Sequence, residues 1–409
     1  MIVVDELLAR RAREGRPVGV AVAGAGFMAR GLLRHIATSV PGLQVRAVFA
    51  RREEQATATL DFAGLQGARV TDDVDELTGT DGVEVVVDCT GAVEFGSVLA
   101  LSAIGAGRHL VLLNAEVDAT VGGELARRAA EAGVIYTGAD GDQPGVQMNL
   151  VRFVRGLGLT PLVAGNIKGL QDRFRNPTTQ AGFAARWGQD AHMVTSFADG
   201  TKVNIEQALV ANATGMSVHR RGLLGMDHTG HVDELTTRYD VDELRDLGGA
   251  VDYVVGARPG PGVYVLAECP DVPQRHYLEL YKLGTGPLYS FYTPYHLCHF
   301  EVPTTIARAA LLGEATIRPL PRRTVDVVTV AKVGLTAGTE LDRLGGYHYY
   351  GEAERADVVL AARLLPVGLA EGCRLVRDVP VDGVIGYDDV VLPEGRVADR
   401  LRAAQDATP

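Results

Sequence analysis

Cysteine is scarce and scattered: Cys89, Cys269, Cys298 and Cys373 are the only four in 409 residues and none forms a C-x-x-C pair. Neither a zinc cluster nor a disulfide framework is expected from such spacing. Long apolar runs are missing too. Val83 to Cys89 carries two acids and Leu110 to Leu113 is short, far below the roughly 18 residues of a membrane-spanning helix. Met1 to Arg16 mixes Asp5, Arg10, Arg11, Arg13 and Glu14 with apolar residues. It lacks the apolar core of a secretion signal and reads as a short amphipathic helix. Basic blocks are absent as well: 51 acidic against 40 basic residues leave a formal charge of −11, which disfavours a nucleic-acid surface. The expectation is a cytoplasmic protein with neither membrane nor nucleic-acid partners. At 46% hydrophobic and 22% charged the chain is built to fold, and at roughly 150 residues per domain it has room for two or three.

Val18 to Ala23 is a β-rich apolar run followed at once by Gly24-Ala-Gly26-Phe27-Met28-Ala29, a G-x-G-x-x-A pattern that opens a helical stretch from Phe27 to Val40. Gly24 permits the tight turn, Gly26 removes the Cβ that would block a pyrophosphate, and Ala29 lets helix and strand approach. The helix start offers free N–H groups to an anion. A second strand, Gln44 to Ala50, ends at Arg51-Arg52, where two guanidiniums suit a 2′-phosphate. NADP(H) is therefore the expected cofactor, with NAD(H) left open by Glu53 and Glu54. Further strands end at Cys89-Thr90-Gly91, at Asn114-Ala115-Glu116 and, after Val134 to Tyr136, at Gly138 to Gly145. Ligands of doubly wound sheets bind at such carboxyl ends, so Thr90, Gly91, Asn114 and Glu116 join Gly24, Gly26, Phe27, Met28, Arg51 and Arg52 as candidate cofactor contacts.

Beyond Gly145 a helix-like stretch from residue 151 leads to a short strand, Val163 to Ile167, and then to an unusually polar segment. Lys168 to Gln180 holds Lys168, Asp172, Arg173, Arg175 and several amides. Such a mixture binds oxygen-rich or anionic substrates, and a desolvated Lys polarises a carbonyl. In Phe197 to Asn212, Lys202 and Glu206 are four apart and share a helix face, either as a surface ion pair or as a proton donor and base. A third cluster joins Tyr281-Lys282 to Tyr292–Glu301, with His296, Cys298 and His299 in a spacing that matches no metal motif. Lys168, Lys202, Glu206 and His296 are the candidate catalytic residues. Asp172, Arg173, Arg175, Asn204, Lys282 and His299 are the candidates for holding substrate. No metal site is assigned, and a divalent metal requirement stays open. Val302 to Leu312 reads as an apolar helix that returns to the dinucleotide domain.

Val325 to Leu341 and Gly372 to Leu392 are two β-rich segments with Asp- and Gly-marked turns. Both resemble the repeated pattern of SAF domains, which implies a subunit-contact or lid module.

With these residues in hand, the chain from about 18 to 400 resembles the homoserine dehydrogenase-like oxidoreductases with a C-terminal SAF domain. It is similar, too, to the DXR-like enzymes that reductively isomerise 1-deoxy-D-xylulose 5-phosphate. The resemblance rests on Gly24 to Ala29, Asn166 to Gln180, Thr195 to Met216, Gly286 to Pro303 and the segment ending at Leu392-Pro393. True homoserine dehydrogenases place Lys directly after the Asn at the fifth strand's end, where Ala115 stands, and an Asp-x-x-x-Lys pair where Asn204 and Glu206 stand. Both departures argue against homoserine as substrate. The resemblance implies an α/β fold: a Rossmann doubly wound parallel sheet over residues 1–150, an α+β catalytic and dimerisation domain over 151–320 and a small β-rich SAF domain over 321–400. Within it, helix 302–313 packs back on the first domain. It implies hydride transfer on a small polar substrate, phosphorylated or polyhydroxylated, by a homo-oligomer, dimer or tetramer. A reductoisomerase and a dinucleotide-binding sensor without catalysis are the alternatives.

Overall fold

The computed structural model describes residues 4–407. They form two compact units, one running up to Gly145 and adding Leu297–Pro321 and the chain from Arg396 on, the other made of Val146–His296 and Arg322–Gly395.

The first unit opens with α1 (Val4–Arg13) and β1 (Val18–Ala23), then alternates α2 (Phe27–Ser39), β2 (Leu43–Phe49), α3 (Glu53–Ala63), β3 (Arg69–Thr71), α4 (Val74–Gly79), β4 (Val85–Asp88), α5 (Val93–Gly105), β5 (His109–Leu112), α6 (Ala115–Glu131) and β6 (Tyr136–Gly138). Its sheet has the order β3-β2-β1-β4-β5-β6, and its neighbouring strands pair in parallel. That is the Rossmann order, with β1 at the switch point. All six β1 residues are buried, as a strand covered by helices on both faces requires. Ala29, Leu32, Leu33 and Ile36 of α2 pack against Val18, Val20 and Val22, and Val302, Ile306 and Ala307 complete the same core. The helix Val302–Ala307 widens into a π-turn over Arg308–Leu312, so the expected single helix changes its winding halfway. Arg308, Thr305 and Thr316 all reach the buried Asp140 carboxylate, at 3.4, 2.9 and 2.6 Å.

In the second unit come α7 (Gln143–Gly156), β7 (Thr160–Lys168), α8 (Pro177–Trp187), α9 (Ala191–Ala198), α10 (Thr201–Thr214), β8 (Met226–Asp227), α11 (Val241–Leu247), β9 (Ala250–Val255), β10 (Gly262–Glu268), α12 (Val272–Leu280), β11 (Leu288–Thr293), β12 (Val325–Ala331) and β13 (Tyr349–Arg355). The helix before β7 thus starts earlier than expected, and the strand is longer. Five strands form a mixed sheet in the order β11-β10-β7-β9-β8, with β7 antiparallel to β10 and parallel to β9. Thirteen of the fourteen α10 residues are buried, polar ones included.

The β-rich C-terminal segment is not a separate third domain. Residues 322–395 belong to the second unit, while the last helix, Val397–Ala407, belongs to the first. The reason lies in α10, whose buried polar side chains bond the backbone of that segment. Thr201 Oγ1 accepts from Gly351 N at 3.0 Å, Asn204 Oδ1 from Ala353 N at 2.8 Å, and Asn212 Oδ1 from Thr324 N and Val325 N at 2.9 and 3.0 Å. A buried amide left without such partners costs about 1–3 kcal/mol, so helix and strands fold as one body.

Candidate functional site

In the first unit the turn after β1 has the form that a dinucleotide needs. Gly24 sits at φ +115°, and a Cβ there would lie 3.3 Å from the Cys89 carbonyl oxygen. Gly26 caps α2 without any side-chain bond, and a Cβ on it would meet no protein atom. Open space therefore lies directly before unpaired helix N–H groups. Ala29 is fully buried against β1. These residues fit a dinucleotide pyrophosphate. Phe27 is 45% exposed beside them, and Met28 is half-buried. Arg51 and Arg52 are exposed between β2 and α3.

Two of the other expected cofactor contacts need correction. Asn114 has no exposed surface: its Nδ2 donates to Asp88 Oδ2 at 2.9 Å and to the Ala92 carbonyl at 3.1 Å, while its Oδ1 caps α6 through Val117 N. Glu116, 1% exposed, is buried in the first turn of α6. Strand-end residues that could have faced a ligand are engaged in starting the next helix. Thr90 gives both its N–H and its hydroxyl to Asp88 Oδ1, at 2.9 and 2.7 Å. Burial raises the Asp88 carboxyl above its usual range against these bonds. Gly91, at φ +69°, is half-buried at the turn.

The second unit holds Lys168, Lys202 and Glu206, three of the candidate catalytic residues. Lys168, the last residue of β7, places Nζ 3.3 Å from Oε2 of Glu206 on α10, with side-chain exposures of 14% and 4%. Asn166, on the same strand, donates from Nδ2 to that Glu206 oxygen at 2.6 Å. Gln147 of α7 donates in turn to Asn166 Oδ1 at 2.6 Å. An amide relay thus fixes the carboxylate, and the carboxylate faces the ammonium. Lys202 and Glu206 do share α10, but both are buried, which rules out a surface ion pair between them.

Past β7, both arginines of the polar loop are paired, one within the loop and one outside it. Arg175 Nε donates to Asp172 Oδ2 at 3.0 Å, and an Arg173 terminal nitrogen to Asp382 Oδ2 at 2.9 Å. Asn204, 4% exposed, bonds the Gly200 carbonyl from one end and Ala353 N from the other. It braces α10 and also lines the cleft beside it. A cleft of about 370 Å³ is lined by residues that include Gln171, Asp172, Arg173, Tyr253, Tyr350 and Glu352.

Lys282 is exposed after α12 at φ +69°. His299 belongs to the first unit, where its ring packs on α2 so closely that a Cβ at Gly31 would lie 2.8 Å from it. Burial lowers its imidazole, helped by His35. His296 is half-buried in the segment after β11. Among the described residues no three His, Cys, Asp or Glu side chains converge as a metal site would need.

Sequence reading missed Lys332 and Asp199. Lys332, 2% exposed, donates to Asp199 Oδ2, the Arg175 carbonyl and the Gly346 carbonyl at 2.9, 2.7 and 2.8 Å, which matches its three N–H donors. Asp199 Oδ1 in turn accepts from Thr201 N at the start of α10. The pair ties the polar loop to the start of α10. A lone Lys ending the apolar run Val325 to Ala331 was the available signal.

Two family models match successive segments of the chain. Residues 24–137 match the family described as homoserine dehydrogenase, NAD binding domain, and residues 141–302 match oxidoreductase DRL, catalytic domain. The homoserine dehydrogenase of Mycobacterium tuberculosis is 34% identical over 121 residues, which are 29% of this chain and 27% of that protein. Among solved structures, a probable dehydrogenase from Thermotoga maritima covers 73% of this chain and 90% of its own at 14% identity and a TM-score of 0.44. A myo-inositol 2-dehydrogenase from Lactobacillus plantarum covers 73% and 91% at 11% identity and a TM-score of 0.42. The two matched segments follow one another along the chain, first the segment similar to an NAD-binding domain and then the segment similar to an oxidoreductase catalytic domain.

Proposed function

We propose that the chain is an NADP(H)-preferring dehydrogenase that acts on a carbonyl or alcohol carbon of a small polyhydroxylated or phosphorylated substrate, with Lys168 and Glu206 at the reacting oxygen. What supports this most is the 3.3 Å approach of Lys168 Nζ to a Glu206 carboxylate that Asn166 already holds. When bound, a nicotinamide dinucleotide supplies the hydride or accepts it. Gly24, Gly26 and the first turn of α2 would hold its pyrophosphate, and Arg51 and Arg52 its 2′-phosphate. Lys168 donates a hydrogen bond to the substrate oxygen and stabilises the negative charge that builds there during reduction. Glu206 keeps the Lys168 ammonium aimed, and its burial with Asn166 and Gln147 limits the water that could compete for it. The SAF-like segment contributes by bracing α10. Replacing Lys168 by Met and measuring turnover beside NADPH affinity tests the reading: turnover must fall while affinity holds.

A further inference from the structure

The cleft of about 370 Å³ in the second unit contains two acceptors that lack donors. Gln171 gives its Nε2 to the Phe197 carbonyl at 3.1 Å, but its Oε1 is buried without a hydrogen-bond partner among the described residues. Glu352 of β13 is half-buried and lines the same cleft. Among the described residues its carboxylate has neither a hydrogen bond nor an ion pair, and burial raises it above the usual range. The cations around it are already matched: Arg173 with Asp382, Arg175 with Asp172, and Arg221 with Glu354 at 3.0 Å. Tyr350 also gives its hydroxyl to Asp382, at 3.1 Å. An incoming phosphate would meet an unpaired carboxylate, while Arg173 and Arg221 are engaged by Asp382 and Glu354, and Arg220 by the Leu223 and Leu224 carbonyls. A group rich in hydrogen-bond donors would satisfy both orphan acceptors at once.

We propose that this cleft is a subsite for an unphosphorylated, donor-rich compound of sugar size, with Glu352 and Gln171 Oε1 accepting from its hydroxyl or ammonium groups. Its volume suits such a ligand, and Glu352 is its specificity-determining residue. The proposal narrows the substrate class of the dehydrogenase reading and rests on it for its place in the reaction, though not for binding.

The test is calorimetric titration of the full chain, without dinucleotide, with neutral pentoses, hexoses and cyclitols, each beside its amino and monophosphate forms. The expected result is binding by a neutral or amino member, with the monophosphate of the same compound at least roughly tenfold weaker. A neutral preference identifies hydroxyl recognition, an amino preference ammonium recognition. Glu352→Gln should weaken the preferred ligand roughly tenfold, and Glu352→Lys should reverse the preference toward the monophosphate. The unfolding midpoint of each variant serves as the folding control. Tighter binding of monophosphates to the unaltered chain, no binding by any member, or an unchanged affinity in Glu352→Gln overturns the proposal. NADPH binding is read separately: its loss removes the dehydrogenase reading alone, whereas absent sugar binding beside intact NADPH-linked turnover removes this one alone.

Discussion

Lys168 Nζ stands 3.3 Å from Glu206 Oε2, joining the end of β7 to the middle of α10 across 38 positions of sequence. An ammonium held this way can serve a substrate oxygen only while the carboxylate keeps its place. Glu206→Gln removes the charge but keeps an oxygen and the shape. It should lower kcat about 10–100-fold, within the range general acid–base residues contribute, and leave NADPH affinity unaltered. Steady-state kinetics with fluorescence titration of NADPH checks both.

Gly24 and Gly26 should separate stability from cofactor binding. Gly26→Ala adds a methyl that touches no protein atom, so unfolding free energy should change by less than about 1 kcal/mol while NADPH affinity falls. Gly24→Ala forces φ +115° on a residue with a Cβ and should cost about 1–3 kcal/mol of stability. Denaturant unfolding and NADPH titration of both variants distinguish the two.

Arg51 and Arg52 are exposed just past β2. Replacing both by Ala should weaken NADPH roughly tenfold or more, as loss of charge-assisted hydrogen bonds to a phosphate does, and leave NADH nearly unchanged. Equal losses for the two cofactors would remove the 2′-phosphate assignment.

Asp118 gives a pH signature. Burial pushes its carboxyl up to about 7, against the hydrogen bond from Tyr136. The folded state thus holds the proton more tightly than the unfolded one. Its contribution to stability is complete below the unfolded value of 3.8 and is lost as pH rises through about 7. Asp118→Asn cannot ionise. Its stability relative to the unaltered chain should therefore climb between about pH 4 and 7, by about 1–4 kcal/mol, and level off above. Urea unfolding across that window measures the gap, and a flat gap contradicts the assignment.

The dinucleotide turn was legible because each part of it is local: an apolar strand, two glycines at fixed offsets and a helix start. Lys168 and Glu206 were legible as residue types, yet their pairing was not. The i,i+4 spacing pointed to Lys202 as the partner of Glu206, whereas Lys168 reaches it from a strand far away in sequence. Asn114 misled for a related reason: a helix cap and a ligand contact at a strand end have the same composition, and only burial tells them apart. His296 and His299 are three residues apart but fall in different units, a boundary that no local pattern marks. The strands of the C-terminal segment could be read from their apolar runs. Their attachment to α10 through Thr201, Asn204 and Asn212 could not, because those bonds span more than a hundred residues.

The central claim is hydride transfer at a site containing Lys168. NADPH deuterated on its transferring carbon, incubated with a panel of small hydroxyaldehydes and hydroxyketones and followed by mass spectrometry of the products, tests it most directly. Deuterium is expected on the former carbonyl carbon of at least one product, with the rate reduced at least about hundredfold in Lys168→Met while NADPH still binds. Absence of transfer to every member, or transfer undiminished in that variant, would contradict it.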